Sequence, residues 1–247
     1  MKLLGDWLES NHNESGSRII LAADVSGPYG SRVGTAASLV RSLEKRIVAV
    51  KLNWHLLLPF GALGVAELAE TCQAAGLPLF ADMKINDIGA TNVEAAEILF
   101  SNGFDAVIAN PFVGYKEGIE ELLAKGRETG KGVILLVYMS HGGAREGYGL
   151  KVGGEPLYMA FARKTKRWGA DGAVVSSKSP SIIRRVRSVL REEQVILSPG
   201  VGFQGGDARD AVAAGADYVI VGRSIVGAKD PSAAVDALNR QLRGLGR

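Results

Sequence analysis

The sequence predicts an α/β fold: a (β/α)8 TIM barrel forming a single domain over residues 1–247, with a short helical extension at the N-terminus. Three observations predict it. Eight short apolar runs alternate with eight helix-length stretches along the chain. Those apolar runs are continuous rather than alternating, as strands buried on both faces of a parallel sheet require. The 247 residues also match the roughly 250 typical of one such barrel, with no linker or compositional break.

After an amphipathic opening segment, strands are expected at Arg18 to Asp24, Ile47 to Leu52, Leu79 to Lys84, Ala106 to Asn110, Gly132 to Met139, Gly172 to Ser176, Val195 to Pro199 and Tyr218 to Gly222. Helices are expected at Thr35 to Leu43, Val65 to Ala75, Val93 to Ser101, Glu117 to Lys125, Glu155 to Trp168, Ser181 to Leu190, Asp207 to Ala214 and Ser232 to Leu242. Gly76 and Pro78 supply a stop after the second helix, and Asp230-Pro231 a start for the last. A doubly wound open sheet is the structural alternative. It would want Gly-x-Gly-x-x-Gly after the first strand, where Asp24-Val25-Ser26-Gly27-Pro28 stands instead.

Composition excludes several classes. Hydrophobic residues make up 47% and charged residues 22%, which gives material for a core and no sign of disorder. The formal charge of +3 comes from 29 basic and 26 acidic residues distributed along the chain. Such a balance suits a small anionic ligand better than nucleic acid, which wants a clustered basic face with interleaved aromatics. A single cysteine, Cys72, permits no intrachain disulfide. The opening Met1 to Glu9 is no secretory signal, and no apolar stretch reaches the roughly 18 residues that span a bilayer. A cytoplasmic protein without membrane contact is expected. His12, His55 and His141 have no metal-ligand spacing and Cys72 does not join them, so no metal site is expected.

In a barrel the site is assembled at the C-terminal strand ends. Asp24 ends the first expected strand, Lys51 follows Val48-Ala49-Val50 on the second, and Asp82 and Lys84 end the third. A lone charge at such a place is ordinarily the exit to solvent. Asp82 and Lys84, however, are two apart and point to the same side of a strand. Buried charges need partners, and Lys51 on the neighbouring strand is the natural third member. A carboxylate between two amines favours the ammonium form of both. A buried ion-pair network that only braces the barrel is the plain alternative. Asp87 reads by itself as a helix cap, with Thr91 four residues on.

The last two units carry Ser198-Pro199-Gly200-Val201-Gly202-Phe203-Gln204-Gly205-Gly206 and Ile220-Val221-Gly222-Arg223-Ser224-Ile225. Glycine-rich loops in this position often hold phosphate through backbone N–H groups, and Arg223 adds a bidentate donor. Ser140, after the fifth strand, is a candidate donor to a base edge. His141 beside it has no acid in the pattern to orient it and reads as structural.

Taken together, Asp82-x-Lys84-x-x-Asp87-Ile88-x-x-Thr91, with Asp24, Lys51, Ser140, the Ser198 to Gly206 loop and Val221-Gly222-Arg223-Ser224, resembles the orotidine 5′-monophosphate decarboxylase family in its compact form, from about Arg18 to Gly227. The resemblance implies conversion of orotidine 5′-monophosphate to UMP and CO2, without a cofactor, in pyrimidine biosynthesis. It implies a homodimer with sites at the interface, in which Lys51, Asp82 and Lys84 come from one chain and Asp87 and Thr91 from the other. Asp24 and Thr91 would hold ribose hydroxyls, Ser140 the pyrimidine, Gln204 base and phosphate, and Gly222 with Arg223 the phosphate. Ile88, Pro199, Gly200 and Gly202 complete the expected substrate contacts. The sequence departs from the family at Gly142, where proline is expected in many relatives, and in the longer lead before Arg18.

The chemistry agrees with the resemblance. Loss of CO2 from C6 of orotate leaves a carbanion with no cofactor motif to accept its charge, so the protein must stabilise it electrostatically, and an ammonium fixed at that carbon can do so and then deliver the proton. Lys84 is the residue of choice. The alternative is a Mg-dependent sugar-phosphate decarboxylase or synthase of the same superfamily, which would want a further carboxylate near Asp82; Phe80 and Ala81 offer none. A non-catalytic nucleotide-binding barrel is the other, and it has no need of the Lys and Asp row.

Overall fold

The computed structural model describes residues 4–245. Among them, eight parallel strands close into a barrel: β1 (Ile19–Ala22), β2 (Ala49–Leu52), β3 (Leu79–Ile85), β4 (Ala106–Ala109), β5 (Gly132–Tyr138), β8 (Gly172–Val175), β9 (Val195–Pro199) and β10 (Tyr218–Val221), with β10 returning to β1. β6 (Lys151–Val152) and β7 (Glu155–Pro156) form a small antiparallel hairpin outside it. Every residue of β1, β2, β4, β5, β8 and β10 is buried, which is why these strands read as apolar runs, broken only by Lys51 in β2.

The outer layer contains α2 (Tyr29–Leu43), α4 (Ala66–Ala74), α5 (Gly89–Ser101), α6 (Glu120–Thr129), α8 (Leu157–Trp168), α9 (Pro180–Arg187), α10 (Ala208–Ala213) and α12 (Pro231–Leu242). The short helices α3 (Trp54–Phe60), α7 (Ala144–Tyr148) and α11 (Arg223–Val226) lie within connecting segments. The structure corrects several expected boundaries. β1 stops at Ala22, so Asp24 stands in the loop beyond it. α2 and α5 begin earlier than expected, because Gly30, Gly34 and Gly89 mask a helical start in the sequence. α8 begins at Leu157, since Glu155 and Pro156 are taken up by the hairpin.

The N-terminal extension is α1 (Leu4–Ser15), which closes the bottom of the barrel. Leu4 and Leu8 are buried in one cluster with Ile20, Val48, Phe80 and Ile134. Asn11 Nδ2 donates to the carbonyls of Val48 (3.0 Å) and Gly76 (3.1 Å), tying the helix to the starts of the strands.

The same end carries a repeated stitch. Gly103-Phe104-Asp105, Gly169-Ala170-Asp171 and Gly215-Ala216-Asp217 each lead into a strand, with the glycine at positive φ. The three carboxylates accept from the backbone N–H groups of Leu79 (2.9 Å), Val133 (2.8 Å) and Ile196 (2.7 Å), at or beside the start of the neighbouring strand. Each covers a donor that the barrel's edge would otherwise leave unpaired.

Candidate active site

Strand pairing sets the level of each charged group. Ala22 is in register with Lys51, and Lys51 with Phe80. Asp24 and Asp82 therefore lie two residues further up their chains, on either side of the Lys51 stem. Lys51 Nζ stands 2.9 Å from Asp82 Oδ2 and 4.0 Å from Asp24 Oδ2, with its side chain 5% exposed. Lys84 Nζ stands 2.8 Å from Asp82 Oδ1. The expected row exists, and one carboxylate bridges two ammonium groups with both oxygens engaged.

Burial pushes the Asp82 carboxyl up, but the combined pull and hydrogen bonds of Lys51 and Lys84 outweigh it and hold the group below its ordinary value. Lys84 reaches Asp82 from an unusual backbone. Its φ is 51°, and the pairing of β3 with β4 slips between Ala81 and Ile85. Simple strand alternation thus carries the row only as far as Asp82; a bulge re-aims Lys84.

These groups line a pocket of about 310 Å3 at the C-terminal mouth of the barrel. Its apolar wall is Ile108, Leu136, Val174 and Ile220, and its rim includes Ser140, Pro199, Gly200, Gln204, Gly222 and Arg223. Gly200, at φ 102°, brings the rim together: a Cβ there would stand 3.0 Å from Gln204 Oε1, 3.1 Å from Ser140 Cβ and 3.2 Å from Ser177 Oγ. Gly202 lies in the adjoining turn at φ 71°, where a Cβ would collide with the Ser224 hydroxyl. The Arg223 guanidinium stacks 3.9 Å from the centroid of Phe203. Among the described residues it has no carboxylate partner within ion-pair distance. Asp24 Oδ1 is enclosed without a hydrogen-bond partner, with His55 Nδ1 at 3.8 Å.

The profile of the orotidine 5′-phosphate decarboxylase / HUMPS family matches residues 17–238. The chain belongs to this family. Among its relatives, the orotidine 5′-phosphate decarboxylase of Thermococcus kodakarensis is 36% identical over 92% of this chain and 97% of its own. The crystal structure of the Pyrococcus horikoshii orotidine 5′-phosphate decarboxylase is similar at TM-score 0.76 and 34% identity, over 92% of this chain and 99% of that one. The Methanocaldococcus jannaschii orotidine 5′-monophosphate decarboxylase, complexed with the inhibitor BMP, gives TM-score 0.78 and 26% identity over 92% and 99%.

Not every residue that the family resemblance marks lies in this pocket. Asp87, Ile88 and Thr91 are exposed and do not line it. Asp87 is also no helix cap: Ile88 holds the cap position of α5, and the Asp87 carboxylate accepts from the adjacent Ile88 N–H at 2.7 Å. The sequence reading missed Asn53, Phe203 and the apolar wall. Strand parity could have found Ile108 and Leu136, which lie on the same side of their strands as the barrel filling. His141, read as structural, stands exposed on the pocket rim. Gly142 faces open space, so the missing proline leaves no packing defect. Among the described residues no group of three His, Cys, Asp or Glu side chains is placed to hold a metal ion. No helix among them is long and apolar enough to cross a membrane.

Proposed function

We propose that this family member is an orotidine 5′-monophosphate decarboxylase, converting orotidine 5′-monophosphate to UMP and CO2 in cytoplasmic pyrimidine biosynthesis without a cofactor. The observation that carries the reading is the Lys51–Asp82–Lys84 row at the pocket. With the substrate's carboxylate set against Asp82, two negative charges face one another in the bound state. As the C6–carboxylate bond breaks, the electron pair stays on C6 and CO2 leaves. The Lys84 ammonium stabilises that charge, donates its proton to C6 and recovers one from solvent. Lys51, bonded to Asp82, keeps that carboxylate oriented.

The remaining contacts follow from what each group lacks. Asp24 Oδ1 has no hydrogen-bond donor and suits a ribose hydroxyl. Arg223, free of any carboxylate, suits the 5′-phosphate together with Gly222 and the loop of Pro199, Gly200 and Gly202. Ser140 and Gln204, drawn together at Gly200, suit the pyrimidine edge and the space between base and phosphate. Phosphate contacts remote from C6 supply binding energy that is used at the reacting carbon. The BMP complex of the Methanocaldococcus jannaschii relative supports a nucleotide ligand.

A homodimer completes the site. Asp87, Ile88 and Thr91 face outward on one subunit, and a partner's pocket is where a fourth charge and a ribose contact are wanted. The test is direct: purified protein in excess EDTA is mixed with orotidine 5′-monophosphate and the loss of its ultraviolet absorbance is followed. Turnover is expected. No consumption of the nucleotide, together with Mg-dependent turnover of a sugar phosphate, would overturn the reading in favour of the metal-dependent branch.

A further inference from the structure

Asn92 is fully buried and polar, and it does not line the pocket of its own chain. Its side chain makes three hydrogen bonds. Oδ1 accepts from Asp87 N–H at 3.0 Å, while Nδ2 donates to Asp87 C=O at 2.6 Å and to Gly118 C=O at 3.0 Å. Both polar backbone groups of Asp87 are therefore held by one amide, and the same amide fastens them to the segment leading into α6.

Asn is a poor choice for the inside of a helix unless its side chain has local backbone groups to satisfy. A buried amide with this many partners rigidifies what it touches. Here it touches an exposed segment: Asp87, Ile88 and Thr91 are exposed and do not line their own pocket. Gly89 adds a second constraint, because a Cβ at that position would collide with the Glu121 carboxylate of α6. The Asp87 segment is thus clamped from below by Asn92 and seated tightly against α6.

We propose that Asn92 is a positioning residue that fixes the direction in which Asp87 leaves its subunit, so that its effect is felt in the partner's active site and not in its own. The proposal rests on the shared-site reading above. A geometric error of about 1 Å in a catalytic group costs on the order of a hundredfold in rate.

Three heterodimers test it, each purified by two tags and checked for mass. The reference pair joins a Lys84→Ala chain to an Asp87→Ala chain, leaving one complete site, which uses Lys84 of the second and Asp87 of the first. In the next pair, Asn92→Ala is added to the Lys84→Ala chain, beneath the Asp87 in service. In the third it is added to the Asp87→Ala chain, beneath the position already lost. The expected result is a fall in kcat of about tenfold or more in the second pair and a much smaller change in the third. Equal losses in the second and third pairs would mean a general structural role and overturn the proposal, as would no loss in either. An inactive reference pair, from parents whose wild type is active, would refute site sharing itself and the proposal with it. If Asn92→Ala chains fail to assemble, Asn92→Asp at the same positions keeps the acceptor for Asp87 N–H and removes both donors, and the same asymmetry is expected.

Discussion

Lys84 has a backbone that lysine rarely adopts: φ is 51°, and among the described residues only Glu117 shares that feature outside glycine. Such a conformation costs about 1–3 kcal/mol and persists only where surroundings over-determine it. Here the bulge in β3 and the ion pair with Asp82 do so. The charge on Asp82 that holds Lys84 is itself secured, because its carboxyl lies below the ordinary value. The stabilisation it gives is present above the unfolded-state value of about 4 and is lost as pH falls through the lower folded-state value. Removing the amine should separate chemistry from binding. Lys84→Ala is expected to abolish decarboxylation while UMP, measured by calorimetry, still binds through Arg223 and the glycine loop. Turnover near the wild-type rate would end the proton-donor role.

At the scale of elements, the three Gly-x-Asp stitches explain how strand starts are held at the barrel bottom. They also give a test with a definite sign. Burial raises the Asp171 carboxyl, against the pull of its bond from Val133 N–H and of Arg127. The folded protein then binds that proton more tightly than the unfolded chain. Stability is therefore lost as pH rises from the unfolded value, about 3.9, through the folded one. Asp171→Asn keeps an acceptor for Val133 N–H without the charge, so at pH 7 it should be neutral or stabilising in urea unfolding. Asp171→Ala strands the donor and should cost about 1–3 kcal/mol. Destabilisation by Asn as great as by Ala would refute the account. The stitches were invisible in the sequence, because one acid before an apolar run looks like an exit to solvent. Most strands were legible for the opposite reason: burial on both faces leaves a short, mostly apolar run. α3 and α11 were missed because helices of seven and four residues carry no periodicity to read. The Lys51, Asp82 and Lys84 row was legible from spacing and neighbouring strands, whereas the bulge that aims Lys84 depends on pairing with β4 and leaves no local mark.

The whole molecule presents one surface that a lone barrel leaves unexplained. Trp54, Leu58, Leu63, Ile88 and Phe112 are exposed, and they belong to the consecutive connections after β2, β3 and β4, the same region that displays Asp87 and Thr91. Exposed apolar side chains on neighbouring connections are the kind of surface that meets another protein. In the homodimer proposed above, a second copy of the chain would cover them, with Asp87 and Thr91 displayed beside them. Assembly and activity should then be lost together. In the double variant Leu58→Arg/Phe112→Arg, neither position lines the pocket, and two guanidinium groups placed on each face of the proposed two-fold contact would meet their like or lose their solvent. Sedimentation should give the mass of one 26.0 kDa chain, with the circular dichroism of the barrel retained. Under the shared-site proposal the kcat should fall at least about a hundredfold. A folded monomer with undiminished kcat would show that one chain holds the complete site, and Asp87 and Thr91 would then need another role.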